Sequence, residues 1–125
     1  MKISILVMLG VAMLLSTCNP TTGIYSNPET PVVVQNGSRF TIELASNATT
    51  GYSWDFGIPV DTNYLKIVKT YYNDPKSDIV GAGGIQGWVF EAVQPGSTSI
   101  TLEYKRPWEV IELPVQTAVF NIEIQ

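Results

Sequence analysis

The chain of 125 residues contains no histidine and a single cysteine, Cys18. Without an imidazole there is no histidine-based triad, no histidine general base and no histidine metal ligand. One cysteine permits neither an intrachain disulfide nor a cysteine-cluster metal site. No metal or cofactor is therefore expected. Basic residues are also scarce, seven Lys and Arg against eleven Asp and Glu, for a net charge of -4. A nucleic-acid surface needs a basic stripe, and this composition argues against one. Charged residues make up only 14% of the chain while 45% are hydrophobic, enough to bury a core. The length fits one domain.

The first eighteen residues form a separate object. Lys2 is followed by an uninterrupted apolar run over residues 3–15. A bilayer span needs about 20 such residues, whereas this run has the length of a signal-peptide core. Residues 1–17 are accordingly expected to be a signal peptide. Leu15-Ser16-Thr17-Cys18 resembles the bacterial lipobox, with Thr17 where that motif prefers Gly or Ala. The resemblance implies that Cys18 becomes a lipidated N-terminus and a membrane anchor. Ordinary cleavage near Cys18 would give a secreted chain instead. Residues 18–30, rich in Pro, Asn, Thr and Ser, read as an N-terminal tether.

From residue 31 to 125 the pattern has period two. Pro31 to Gln35 is a short β-branched run, and Asn36-Gly37 is a hairpin signal. Phe40, Ile42 and Leu44 alternate with Arg39, Thr41 and Glu43. Tyr52, Trp54 and Phe56 alternate with polar residues. A longer strand from Tyr64 to Tyr72 is expected to turn Leu65 and Ile67 inward. Trp88, Phe90 and Ala92 continue the pattern, as do Ile100, Leu102 and Tyr104 beyond a turn at Gln94 to Ser97. Ala118, Phe120, Ile122 and Ile124 close it. Seven strands separated by turns predict an all-β, immunoglobulin-like antiparallel β-sandwich, with a small barrel as the other architecture. Trp54 and Trp88 read as core residues.

Seven strands that reverse direction in turn send their second, fourth and sixth connections to one end. The unusual compositions fall in those three connections. The first runs over residues 46–51 into Tyr52, and places Thr49 and Thr50 at its tip between Asn47 and Gly51. The second, residues 73–86, contains Gly81-Ala82-Gly83-Gly84, a stretch almost bare of side chains. It lacks the lysine of a phosphate-binding loop. Asp74 and Asp78 match no EF-hand spacing. The third is Arg106-Pro107-Trp108-Glu109, where Pro107 stiffens a loop carrying Arg and Trp, two residue types enriched at binding hot spots. No nucleophile, base and orienting group can be assembled, so an enzyme is not expected.

Asn47-Ala48-Thr49-Thr50-Gly51-Tyr52, Gly81-Ala82-Gly83-Gly84 and Arg106-Pro107-Trp108-Glu109 look like the three signature motifs of the chagasin family of cysteine-peptidase inhibitors. They stand in the family's order and at its approximate spacing. The resemblance covers residues 31–125 and departs at Ala48, where the family usually has Pro. It implies an immunoglobulin-like fold that inhibits papain-like cysteine peptidases tightly and reversibly, as a wedge across the active-site cleft. Thr49 and Thr50 would approach the catalytic cysteine, the glycine stretch would follow one wall, and Arg106 and Trp108 would pack on the other. A monomer is expected. An exported adhesion or assembly module using the same loops on another protein is the alternative reading.

Overall fold

A computed structural model describes residues 21–74, 83–109 and 113–125. Cys18 and the apolar run before it lie outside the described residues, as do Gly81, Ala82 and Asp78.

The described residues form eight strands: β1 (Thr21–Tyr25), β2 (Val32–Val34), β3 (Arg39–Ser46), β4 (Ser53–Phe56), β5 (Leu65–Asn73), β6 (Gly84–Ala92), β7 (Gly96–Lys105) and β8 (Gln116–Ile124). They form two four-stranded sheets, ordered β1-β3-β6-β5 and β2-β8-β7-β4. Outer strands β1 and β2 run parallel to their neighbours, and every other pair is antiparallel. The fold is thus the all-β, immunoglobulin-like sandwich that the alternation predicts.

The apolar faces meet between the sheets. Phe40, Ile42, Leu44, Trp88, Phe90 and Ala92 come from one, and Val32, Val34, Trp54, Ile100, Leu102, Phe120 and Ile122 from the other. Phe40 and Phe90 stack directly, with ring centroids 5.4 Å apart. Period-two burial explains the agreement, because a half-buried strand alternates by geometry.

Four details differ from the sequence reading. Residues 21–25, expected to be part of the tether, form β1 beside β3. With β1 the described strands number eight where seven were expected, and the parallel pairing of β1 and β2 makes each sheet mixed where an antiparallel sandwich was expected. The Asn36-Gly37 turn does not close a hairpin. It carries the chain from one sheet to the other, and its amides donate to Gln125 at 2.9 Å and Ala92 at 2.8 Å. Ile67 lies opposite buried Phe90 but is 41% exposed, because β5 is the outermost strand of its sheet and a register shift follows at once.

Strand register fixes where the connections emerge. The last residue of β3, Ser46, pairs with the first of β6, Gly84. The first residue of β4, Ser53, pairs with the last of β7, Lys105. Asn73 at the end of β5 pairs with Ile85, and Gln116 at the start of β8 pairs with Tyr104. Connections β3–β4, β5–β6 and β7–β8 therefore all leave from one pole.

Candidate functional site: a three-loop edge

The β3–β4 loop is built around Asn47. Ala48–Thr50 form a single 3-10 turn with Asn47 as its N-cap and Gly51 as its C-cap. The Asn47 carboxamide oxygen accepts from the Thr49 amide at 3.1 Å and the Thr49 hydroxyl at 2.5 Å. The Thr50 hydroxyl donates to the Asn47 carbonyl at 2.7 Å. These bonds satisfy groups that a turn would otherwise leave to water, as an N-cap does. Both threonine hydroxyls are thus turned into the loop while the residues themselves stay exposed. Ala48 occupies the first position of the turn, where a helix tolerates proline. The hydrogen bonds onto Asn47 fix the tip without one.

Gly51 has a left-handed φ of 79°. A Cβ there would lie 2.4 Å from Cη2 of Trp108, so the indole occupies space that only glycine leaves free. Trp108 arrives through a tight turn in which the Glu109 amide donates to the Arg106 carbonyl at 3.1 Å. Pro107 takes the second position of that turn, which its fixed φ suits. The Arg106 guanidinium lies over the Tyr52 ring, 4.5 Å from its centroid, and its Nη1 meets Glu109 Oε1 at 3.3 Å. A cation over an aromatic face is attractive, more so when partly shielded from water. The arginine charge is therefore spent mainly within the loop edge, where it joins the third loop to the first. Trp108 itself remains 65% exposed.

In the β5–β6 connection, Gly83 approaches the first loop: a Cβ on it would lie 3.8 Å from the Asn47 Cβ and from the Ser46 carbonyl oxygen. Of the predicted site residues, Asn47 to Tyr52, Gly83, Gly84 and Arg106 to Glu109 are thus gathered at one pole, with the first loop between the other two.

Beneath the loops, Trp54 locks the sheets together. Its indole N–H donates to the Ala45 carbonyl at 2.9 Å, and the indole is 7% exposed. The Gln86 side chain clasps the Trp54 backbone from the opposite sheet, its oxygen accepting the amide at 2.9 Å and its nitrogen donating to the carbonyl at 2.7 Å. Sequence patterning does not single out Gln86. Only its preference for a partner with both a donor and an acceptor could have drawn attention to it. A groove of about 390 Å³ lies alongside, lined by Ala48, Tyr52, Tyr71, Tyr72 and Gln86 among others. No group of acidic, cysteine or histidine side chains suited to a metal occurs among the described residues.

Among the described residues, the first and third loops are fitted to each other at one pole of the sandwich, Trp108 on Gly51 and Arg106 over Tyr52, with Gly83 beside Asn47. Residues 33–124 match the family described as chagasin family peptidase inhibitor I42. The chain belongs to the chagasin family of cysteine-peptidase inhibitors. It is 34% identical to chagasin of Trypanosoma cruzi over 80 residues, covering 62% of this chain and 73% of that protein. It is 31% identical to amoebiasin-2 of Entamoeba histolytica over 84 residues, covering 67% of this chain and 68% of that one. In fold it is similar to the crystal structure of the cysteine protease inhibitor EhICP2 from Entamoeba histolytica. The TM-score there is 0.72 at 22% identity, over 86% of this chain and 99% of that one. PbICP-C in its complex with falcipain-2 is also similar, with a TM-score of 0.55 at 17% identity, over 86% of this chain and 93% of that one.

Proposed function

We propose that this chain inhibits papain-like cysteine peptidases by seating its three-loop edge across the active-site cleft. The observation that carries this reading is the mutual bracing of the loops, Trp108 against Gly51 and Arg106 over Tyr52. Family membership supports it, and so does the complex that PbICP-C forms with falcipain-2.

The mechanism asks no chemistry of the inhibitor. A substrate must be threaded through a peptidase cleft as an extended strand. The tip at Ala48–Thr50 is a 3-10 turn and offers none. Its hydroxyls are already bonded, so little further ordering is required on binding, which favours affinity. Trp108 supplies a large exposed apolar surface to exclude water from the cleft wall. The test is selectivity. Papain should be inhibited, trypsin and a metallopeptidase should not, and the inhibitor should be recovered intact. Cleavage between Thr49 and Gly51 that tracks loss of inhibition would contradict the wedge.

The reading extends to location. Cys18 is proposed to be the lipid-modified N-terminus after removal of residues 1–17. One acyl chain holds a protein only marginally, and stable anchoring needs a second signal. The topology suits an anchor there. β1 begins opposite Arg39 and β8 ends opposite Gly96, both at the pole away from the loops. An inhibitor held at Cys18 would face its loops away from the bilayer. Cys18→Ala should release the protein in soluble form, and an unmodified N-terminus downstream of residue 18 in a mass spectrum would refute the anchor.

A further inference from the structure

Tyr104 lies on β7, two residues before the turn that carries Trp108, and pairs with Trp54 on β4. Its ring stacks on Tyr52, centroids 5.4 Å apart at 23°, and tilts against Trp54 at 5.0 Å. Tyr52 in turn carries the Arg106 guanidinium. The Tyr104 hydroxyl accepts the Asn47 amide proton at 3.0 Å. Asn47 is the residue on which the Thr49–Thr50 tip is built, and it is also the neighbour of Gly83. One side chain therefore holds the backbone of the first loop through its oxygen. Through its ring and Tyr52 it also reaches the cation of the third.

Packing alone does not account for a tyrosine here. The alternation Ile100, Leu102, Tyr104 continues the core face, yet Tyr104 is only partly buried. A phenylalanine would supply the same ring to Tyr52 and Trp54. What it could not supply is the acceptor for the Asn47 amide.

We propose that Tyr104 is the positioning residue that couples the first and third loops, so that the edge meets a peptidase as one preset unit. The proposal deepens the inhibitor reading and rests on it. Tyr104 touches the loops from beneath and acts on the partner through Asn47 and Arg106, not by contact of its own.

The experiment compares the full chain with Tyr104→Phe, which keeps the ring and removes the hydroxyl. Losing one such bond to a backbone amide should raise the inhibition constant for papain by roughly five- to tenfold. The Asn47 amide should exchange its hydrogen faster. Trp108→Ala should cost less in the Tyr104→Phe background than in the wild type, because a mis-set edge no longer presents the indole; such non-additivity is the signature of coupling. Unchanged inhibition with unchanged Asn47 exchange overturns the proposal. A lower urea midpoint with an additive double-mutant cycle overturns it too, since that is the mark of a structural role alone. If the wild type fails to inhibit papain, the inhibitor reading falls, while Asn47 exchange still decides whether Tyr104 sets the loop.

Discussion

The indole of Trp108 fills the space that a side chain at Gly51 would need: a Cβ on Gly51 would fall 2.4 Å from Cη2 of the ring. The same glycine holds a φ of 79°, which residues with a side chain rarely adopt. Two loops distant in sequence are thus fitted to each other at one residue. Gly51→Ala should displace Trp108 and strain the turn, at a cost of about 1–2 kcal/mol in stability. The displacement should appear as a change in tryptophan emission, and inhibition should weaken with it. An alanine variant with unaltered emission and inhibition would show that the contact does not organise the edge.

The tryptophans divide the labour. Trp108→Ala should weaken inhibition by about 2–4 kcal/mol, the range for an interface anchor. The ring is 65% exposed, so the thermal midpoint should move little. Trp54→Ala removes a buried ring and the bond to Ala45, and should cost about 3–5 kcal/mol of stability. Melts and inhibition constants for both variants decide, and the reverse outcome would invert the assignment of core and site.

A latch on the outer face gives a pH signature. Tyr71 on β5 and Glu43 on β3 both pair with Gly87, on the strand between them. A Cβ on Gly87 would fall 2.2 Å from Cζ of Tyr71, so its absence lets the ring cross to donate to the Glu43 carboxylate. Partial burial, then that bond, then the charge of Glu43 push the Tyr71 hydroxyl up to about 12 from 10.0. The folded state therefore favours the protonated phenol. Its contribution is fully present below pH 10 and is lost as pH rises from 10 through about 12. The stability difference between wild type and Tyr71→Phe should be level up to pH 10 and shrink above it. A difference that stays constant across that window would refute the latch.

Much of this was legible in the chain. Phe40, Ile42 and Leu44, and Phe120 with Ile122 and Ile124, declare their buried faces by alternation alone, and all are buried. The parity of strand reversal places three odd loops at one pole, as the pairings of Ser46 with Gly84 and Ser53 with Lys105 do in the fold. β1 was not legible, because Thr21–Tyr25 lacks alternation and owes its place to pairing with β3. Asn36-Gly37 carries the local chemistry of a hairpin, but which sheet receives the next strand is decided by tertiary pairing. Arg106 reads as a residue free to meet a partner, and only three dimensions place Tyr52 and Glu109 beneath and beside it. Gln86 and Tyr104 occupy ordinary strand positions, and nothing in their spacing reports the backbone groups they hold.

The central claim is that the braced loop edge blocks a papain-like cleft, and active-site titration of papain tests it most directly. Added in increments to a known concentration of active papain, the protein should abolish activity linearly to an end point of one inhibitor per enzyme. Trp108→Ala should blunt that end point into a shallow curve. Undiminished papain activity in the presence of a molar excess of folded protein would contradict the account.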